Sequence, residues 1–557
     1  MAVNTIDSKL VAKMFMAGAC NLEKNKEYIN ELNVFPVPDG DTGTNMTMTI
    51  MSAYKELNAL DNPDMRAVCK AISSGSLRGA RGNSGVILSQ LIRGFTKIAS
   101  EYDELDIDIL TNAFKNSVQT AYKAVMKPKE GTILTVASGV YDKAEELRTA
   151  GEKDLDTYLK KVLDYADEVL LKTPDLLPVL KQAGVVDSGG QGLMEVLHGA
   201  YDIFSGKDVD ITLNATKDKR EKNITPSEKI ALNEIKYSYK TEFTVILKQA
   251  MNVKIDKDYA NFLDSIGDNV SFNVTAETAK VYVHTNDPGL VIQKALKFGM
   301  LSEISIENLK LDEKHQEAKA EEKTEEAPAP VKEAHAELKE YGFIAVSVGE
   351  GMSEIFKSVG TDYIIEGGQT MNPSTEDMLN AIDKVNAKHI FILPNNKNII
   401  MAANQARDLT EDKDIIVIPT KTVPQGIGAM INFMAEASAE DNTESMTEGA
   451  SNVKTGQVTY AVRDTEIDNK VIKKDDYMGI GDSGILSVGA DRDQVTKDMI
   501  KEMVDEDSSV ITVYVGSDVD SEAAEKLKAD LEEAYEDVEV EIQNGGQPIY
   551  YYIVSVE

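Results

Sequence analysis

Asn33-Val-Phe-Pro-Val-Pro-Asp-Gly-Asp-Thr-Gly-Thr-Asn45 interrupts a long run of helical pattern, and its reading decides what the first third of the chain is. Pro36 and Pro38 fix φ and remove two backbone donors, so the chain enters the turn extended and stiff. Asp39 and Asp41, separated by Gly40, then present two carboxylates from one short loop. A hard cation such as Mg²⁺ takes one or two carboxylates together with phosphate oxygens and water. Thr42, Gly43, Thr44 and Asn45 follow, small residues whose backbone N–H groups and side chains suit a phosphate. An acidic turn that only caps a helix has the same composition, since Asp, Thr and Asn are ordinary turn and N-cap residues. Taken alone, the stretch leaves both readings open.

Around it, Ile6, Leu10, Met14 and Ala17 recur at helical spacing, and Val68, Ile72, Val86 and Leu91 continue the pattern. Residues 1–210 therefore read as a bundle of amphipathic helices whose loops gather at one end. Three further loops share the small-polar composition. Gly75-Ser-Leu-Arg-Gly-Ala-Arg-Gly-Asn-Ser-Gly85 is glycine-rich and opens a helix at Val86, as either a phosphate loop or a tight connection. Its Arg78 and Arg81 suit phosphate or, more commonly in an acidic protein, surface acids. Pro128 to Gly131 breaks a helix that restarts at Thr132-Ile133, and Gly184-Val-Val-Asp-Ser-Gly-Gly-Gln-Gly192 repeats the pattern. Asp187 there is a ligand-facing acid or a helix cap.

The chain has 557 residues, enough for three or four domains, with 42% hydrophobic residues to build their cores. Ninety-four acids against 59 bases give a net charge of −35, which argues against nucleic acid and anionic membrane surfaces as partners. No apolar run approaches the ~18 residues that span a bilayer, and no charged-then-apolar leader is present. Cytoplasmic location without integral membrane contact is the expectation. Two cysteines, Cys20 and Cys69, make neither a disulfide framework nor a cysteine-rich zinc site.

Four such loops in one helical region, in this order, resemble the nucleotide-binding domain of the dihydroxyacetone kinase superfamily. Over the whole chain the closer resemblance is to the ATP-binding components of the fatty acid kinases. It implies a barrel of eight antiparallel helices that holds ATP and two Mg²⁺ at one end. By match, Asp39 and Asp41 are metal ligands and the catalytic pair. Thr42, Gly43, Thr44, Asn45, Gly82, Asn83, Ser84, Ile133, Asp187, Ser188 and Gly189 contact the nucleotide. Where dihydroxyacetone kinases carry a third aspartate, this chain offers Asn33, displaced by about one residue, as the remaining metal ligand.

Residues 212–228 read as a polar linker. From 229 to 310 the period changes: Lys240 to Lys248 alternates like a strand, Asp256 to Ile266 is helical, 270–274 and 279–284 form a hairpin, and Pro288 to Phe298 is helical before a last strand at Ile304. That β-α-β-β-α-β order predicts a small α+β, ferredoxin-like domain. The family gives this domain a role in dimerisation, so a homodimer is implied. It often carries a Cys and a second His beside the residue matching His284. Lys240 and Tyr282 stand there in this chain, so the expectation is no zinc. Leu311 to Lys339, rich in Glu, Lys and Ala, reads as an acidic flexible linker.

Residues 340–557 read as α/β. Apolar runs at Phe343, Tyr363, His389 and Ile415 each lead into a polar loop, as in a mostly parallel sheet with functional loops at the carboxyl ends of its strands. Asn372, Asn395, Asn396, Lys397, Thr420 and Lys421 then form a ligand- or partner-facing rim, unless they are turn chemistry alone. A polar stretch at 438–455 divides this region from a second α/β unit that ends in Ile549 to Val556. In the family these C-terminal loops are implicated in meeting a separate DegV-like fatty-acid-binding carrier protein.

The chemistry expected is ATP-dependent phosphorylation of a carrier-bound fatty acid to give an acyl phosphate, through positioning and charge neutralisation. The alternatives are a dihydroxyacetone-type kinase acting on a small hydroxylated substrate, or a non-catalytic nucleotide-sensing scaffold.

Overall fold

The computed structural model describes residues 4–34, 40–125, 127–207, 209, 211, 239–247, 259, 262–263, 266–274, 278–286, 288–308, 338–368, 372–461, 465–467, 470–482 and 484–557. Pro36, Pro38 and Asp39, the 212–228 linker and nearly all of the acidic 311–339 segment lie outside the described residues. Residues 1–213 and 335–557 pack into one compact unit, and 214–334 into another.

The helical domain runs through β1 (Ile6–Asp7), α1 (Ser8–Glu31), α2 (Thr42–Asn58), α3 (Met65–Arg78), α4 (Gly82–Ala99), β2 (Glu104–Leu105), α5 (Ile107–Ala124), α6 (Ile133–Thr149), α7 (Leu155–Leu171), the short α8 (Thr173–Leu176) and α9 (Pro178–Ala183), and α10 (Ser188–Phe204). Each long helix packs on the next, and α10 returns to α1, closing a ring. Where α1 and α10 cross there is no room for side chains: a Cβ on Gly18 would lie 2.6 Å from the Val196 carbonyl oxygen. The apolar faces of Leu22, Ile29, Met46, Ile50, Leu134 and Met194 turn inward and are fully buried, each worth about 1.5–3 kcal/mol on burial. They leave an apolar cavity of about 220 Å³ between α1, α3, α4, α5, α6, α7 and α10.

How the helices begin divides them into two sets. Asp7, Asp64, Asp106, Asp154 and Asp187 are N-caps whose carboxylates accept from backbone N–H groups in the first turns of α1, α3, α5, α7 and α10, each bond worth about 1 kcal/mol. The starts of α2, α4 and α6 have no side-chain cap bond. Those three starts are three of the four loops singled out by composition; the fourth, at α10, is capped by Asp187.

One expectation is corrected here. Gly75 to Gly85 is not one loop: α3 continues through Arg78 and α4 begins at Gly82. Gly75 and Gly85 are helical and serve packing, since Cβ atoms there would lie 2.5 Å from Ala53 Cα and 2.3 Å from Thr49 Oγ1. In sequence, a glycine that lets helices touch looks the same as one that turns a loop.

The 214–334 unit holds β3 (Tyr239–Leu247), β4 (Gly267–Val274), β5 (Thr278–Thr285), α11 (Pro288–Ala295) and β6 (Gly299–Asn308). Its antiparallel sheet has the order β4-β5-β3-β6, and Phe243, Val281, Val283 and Val291 form the core with Tyr259 and Leu263. Most of the helix expected over Asp256 to Ile266 lies outside the described residues.

The α/β region opens with β7 (Lys339–Ser347), α12 (Glu350–Ser358), β8 (Tyr363–Glu366), α13 (Thr375–Lys384), β9 (Ala387–Leu393), α14 (Ile400–Leu409), β10 (Asp414–Val417) and α15 (Val423–Ile431). Its sheet, β10-β9-β7-β8, is parallel throughout, as the four apolar runs require. The stretch expected to be a polar divider is instead a helix, α16 (Ala439–Asn452), capped by Ser438 and burying Asn442, Met446, Gly449 and Ala450 on one side. Beyond it β11 (Lys454–Tyr460), β12 (Thr465–Ile467), β13 (Lys470–Ile472), β14 (Tyr477–Gly481), β15 (Gly484–Gly489), α17 (Arg492–Met503), β16 (Val510–Val515), α18 (Ser521–Ala534), β17 (Glu539–Asn544) and β18 (Tyr552–Val556) follow. β12 and β13 pair with each other, and the remaining strands build a mixed sheet ordered β15-β14-β11-β18-β16-β17. Tyr514 and Ile553 of that sheet share one apolar cluster with Phe343 and Phe391 of the parallel sheet. Among the described residues no helix is long and apolar enough to cross a membrane.

Candidate functional site

Short loops between antiparallel helices send alternate N-termini to the same end of the ring. The starts of α2, α4, α6 and α10 meet there. Ser188 Oγ donates to Thr42 Oγ1 at 3.3 Å, joining α10 to α2. A Cβ on Gly189 would lie 3.3 Å from Ile133 Cβ, which places α10 against α6. Gly82 sits against Asn45, so α4 adjoins α2. Each start contributes a partial positive charge, and those of α2, α4 and α6 lack a side-chain cap bond, the setting in which helices bind phosphate.

Asp41 is the N-cap position of α2, yet its carboxylate makes no cap bond. Thr42 and Asn45 are buried behind it. Thr44 is held twice by Asn30 of α1: its N–H donates to Asn30 Oδ1 at 3.1 Å, and Asn30 Nδ2 donates to Thr44 Oγ1 at 3.0 Å. Gly43 lets α1 approach, because a Cβ there would lie 2.1 Å from the Lys26 carbonyl oxygen. Asn33 is buried just past α1, before the segment that holds Asp39. Gly82 has φ of +57°, which favours glycine, and a Cβ there would lie 2.5 Å from Asn45 Nδ2. Ser84 is half-buried in the first turn of α4.

Asp187 is a helix cap: Oδ2 accepts from Gly190 N–H at 2.7 Å. Burial pushes its carboxyl up to about 6, against the pull of backbone hydrogen bonds from Gly190 and Ile133. Ile133 is buried beneath it.

The loops at the carboxyl ends of the parallel strands lie against this end of the helical domain. Asn372 Nδ2 donates to Asp41 Oδ2 at 2.6 Å. Arg81 donates from Nη1 to the Asn372 carbonyl oxygen at 2.8 Å and lies 3.4 Å from Asp377. It therefore pairs with an acid, the commoner of its two expected fates. Arg81 also bridges to Ser374, and Thr375 N–H donates to the Ala80 carbonyl at 3.1 Å. Asn83 Nδ2 donates to Asn398 Oδ1 at 3.0 Å. Gln405 of α14 is buried between the two parts, accepting from Gln90 Nε2 at 2.9 Å and donating to the Leu77 carbonyl at 2.7 Å.

The expected rim thus divides. Asn372 reaches the helical domain, whereas Asn395 and Thr420 hold each other: Asn395 N–H donates to Thr420 Oγ1 at 3.0 Å, and that hydroxyl donates to Asn395 Oδ1 at 2.8 Å. Asn396 Oδ1 accepts from Asn398 N–H at 2.8 Å, and Lys397 and Lys421 are exposed. Composition missed Asn30, Asn398 and Gln405. For Gln405 a signal existed, one amide on the buried alanine face of Ala402, Ala403 and Ala406. In the other unit, Tyr282 hydroxyl and His284 Nε2 are 2.9 Å apart, and Lys240 is opposite His284 in the sheet.

Residues 36–202 match the DAK2 domain family, residues 236–316 the FakA-like middle domain of the fatty acid kinases, and residues 342–557 the FakA-like C-terminal domain. Protein YloV of Bacillus subtilis (strain 168) is 43% identical over 572 residues, covering 100% of both chains. An uncharacterized protein of Staphylococcus aureus (strain USA300) is 41% identical over 560 residues, again covering 100% of both. Among solved structures, a DegV family protein of Corynebacterium glutamicum covers 39% of this chain and 96% of its own, with 14% identity and a TM-score of 0.31. The dihydroxyacetone kinase of C. freundii covers 36% of each chain, with 16% identity and a TM-score of 0.27. Structural likeness at that level carries no weight, but the domain matches and the full-length relatives do. The chain belongs to the FakA-like fatty acid kinase family of the dihydroxyacetone kinase superfamily.

Proposed function

We propose that this protein is an ATP-dependent kinase that phosphorylates the carboxylate of a fatty acid presented by a separate DegV-like carrier, giving an acyl phosphate and ADP. The observation that carries the reading is the asymmetry of caps. Five long helices of the helical domain close their first turns with an aspartate, while α2, α4 and α6 leave theirs open beside Asp41. A structure built only for stability has no reason to forgo three caps of about 1 kcal/mol each at one end. The family supplies the acceptor class.

The residues present fit Mg²⁺-nucleotide. Asp41 keeps its carboxylate out of the cap, and Asp39 is the second acid of the same loop. Asp39 and Asp41 would hold the Mg²⁺ ion, whose charge would neutralise that of the phosphates. The rest falls to the chain. Thr42, Gly43 and Gly82 to Ser84 offer backbone N–H groups to phosphate oxygens, while the N–H groups of Thr44 and Asn45 are taken by Asn30 and the Asp41 carbonyl, and Gly82 lets the backbone come close. Ser188 and Gly189 extend the same surface from α10. A fatty acid carboxylate is already ionised at neutral pH, so the protein needs no general base. Its oxygen attacks the γ-phosphorus, the bond to the β,γ-bridging oxygen breaks, and ADP leaves with that electron pair. Catalysis then consists of holding donor and acceptor in line. The middle unit is proposed to be ferredoxin-like and to pair two copies of the chain.

The test is hydroxylamine trapping. Purified protein with ATP, Mg²⁺ and a fatty-acid-loaded DegV-type carrier is expected to yield hydroxamate, with little ATP consumed when the carrier is left out. ATP consumption with dihydroxyacetone and none with the loaded carrier would put the chain with the small-substrate kinases. Nucleotide binding without turnover on either would leave it a scaffold.

A further inference from the structure

Where the α/β region meets the helical domain, one polar atom has its hydrogen-bonding capacity unfilled. Asn372 lies in the loop between β8 and α13 and is 3% exposed. Its place is fixed from three directions. Its Nδ2 donates to Asp41 Oδ2 at 2.6 Å, and its carbonyl oxygen accepts from Arg81 at 2.8 Å. Two residues on, the chain is pinned to Arg81 and Ala80 by the Ser374 bridge and the Thr375 N–H. A carboxylate only accepts, so the amide must turn its nitrogen to Asp41. Oδ1, the other end of that amide, is buried and has no hydrogen-bond partner among the described residues. Burying an amide oxygen unpaired is costly, and sites that do so reserve it for something.

The identity of that something follows from chemistry. Phosphate oxygens are acceptors and would be repelled by a second acceptor. A hard cation, or a water held by one, is what an amide oxygen beside a carboxylate serves. Three distant segments crowd here, two of them through side chains. A Cβ on Gly82, at the start of α4, would lie 2.5 Å from Asn45 Nδ2 and 3.6 Å from Asn372 Nδ2.

We propose that Asn372 is a positioning residue of the nucleotide–metal site, lent to the helical domain by the α/β domain. Its Nδ2 orients Asp41, and its Oδ1 serves the Mg²⁺ ion or that ion's coordinated water. This rests on the ATP–Mg²⁺ reading above. It means that a carboxylate of the metal-binding loop is oriented by a residue 331 positions away in sequence. The consequence differs from that of a simple tethered docking module, whose removal leaves Mg²⁺-nucleotide binding untouched.

The experiment compares full-length wild type with Asn372→Ala, reading equilibrium ATP binding with Mg²⁺ and with EDTA. The expected result is about tenfold weaker binding with Mg²⁺ and little change in EDTA, with a higher Mg²⁺ concentration needed for half-maximal binding. Equal loss under both conditions would reduce Asn372 to a docking contact and overturn the proposal, as would unchanged Mg²⁺-dependent binding. Wild type that binds no Mg²⁺-ATP would instead sink the kinase reading beneath it. Should Asn372→Ala fold poorly, Asn372→Asp decides by a readout that needs no nucleotide. It keeps an oxygen but opposes two carboxylates, so its melting temperature is expected to fall and to be restored by Mg²⁺ alone. A Mg²⁺-induced rise no larger than that of wild type would overturn the proposal.

Discussion

The interior of the helical domain and the seam that joins it to the α/β domain are held together by different physics. Inside the ring, Leu22, Ile29, Met46 and Ile50 interlock at full burial, and Tyr158 hydroxyl meets Thr111 Oγ1 at 2.7 Å beneath them. Along the seam the apolar contribution is small, with Ala80, Val86 and Ala402 as its buried members. Polar contacts do the joining instead: the amides Asn372 to Asp41, Asn83 to Asn398 and Gln90 to Gln405, together with Arg81, which meets the Asn372 carbonyl and Asp377. A core of the first kind cannot open without unfolding, whereas a seam of the second kind resembles interfaces that form and separate. The candidate site lies on the seam. Its proposed phosphate donors come from the rigid side and the amide that holds Asp41 from the other.

The largest effect expected is on the rigid side's own ligand. Asp41→Ala should lower carrier-dependent phosphoryl transfer by about 10³-fold or more, roughly 4 kcal/mol of lost metal-mediated stabilisation. Asp41 makes no cap bond, but its loss leaves the buried Asn372 Nδ2 without its acceptor, so stability should fall by about 1–3 kcal/mol while the helical ring stays folded. Near-normal turnover in a folded Asp41→Ala protein would remove this carboxylate from the mechanism.

Next comes a change inside the ring. Gly75→Leu places a side chain where a Cβ alone would lie 2.5 Å from Ala53 Cα. Backbone cannot yield as a flexible side chain would, so the cost should be about 3 kcal/mol, measured by denaturant unfolding. A loss below about 1 kcal/mol would return Gly75 to the loop that composition suggested.

That position shows where sequence reading succeeds and where it stops. The starts of α2, α6 and α10 were legible because Asp41-Thr42, Thr132-Ile133 and Asp187-Ser188 carry helix-start chemistry just before apolar periodicity, whereas α4 begins at Gly82, ahead of the Val86 start that the glycine-rich stretch suggested. The parallel strands were legible as apolar runs at Phe343, Tyr363, His389 and Ile415. Gly75 and Gly85 were not, since close helix packing and a tight turn select the same residue. The helix Ala439–Asn452 hid because its buried side is only Asn442, Met446, Gly449 and Ala450, too polar a face to register. The seam was invisible for a deeper reason. Asn372 and Gln405 meet partners about 300 positions away through single hydrogen bonds, and no local period encodes a pairing of that kind. The acidic stretch before residue 340 reads as a tether, which suggested two separate halves where one compact unit is found.

A third effect is a pH dependence set at α10. Burial raises the Asp187 carboxyl to about 6 from an ordinary 3.8. Between those values the folded protein holds a proton that the unfolded chain has released, so stability falls as pH rises through this window and levels off above it. The full span is about 2–3 kcal/mol. Asp187→Asn keeps an oxygen for the Gly190 N–H and removes the titration. Its unfolding free energy should therefore change less between pH 4 and 6.5 than that of wild type. Parallel curves for the two proteins would show that Asp187 is already ionised in the fold.

The smallest effect sharpens the comparison most. Gln405 is the one buried side chain that touches Gln90, the Leu77 carbonyl and, at 3.2 Å, Thr375 Oγ1 at once. Replacing it by alanine leaves the Leu77 carbonyl and the Gln90 amide short of partners, at about 1–2 kcal/mol. If the seam is separable from the ring, that cost falls on local opening alone. Amide hydrogen exchange should then quicken in 77–90 and 372–409 by about tenfold, while α1, α6 and α7 keep their protection and the global unfolding midpoint hardly moves. The opposite pattern, unchanged exchange at the seam and a lower global midpoint, would mean that seam and core unfold as one. The division between a rigid donor surface and an adjustable orienting surface would then fail.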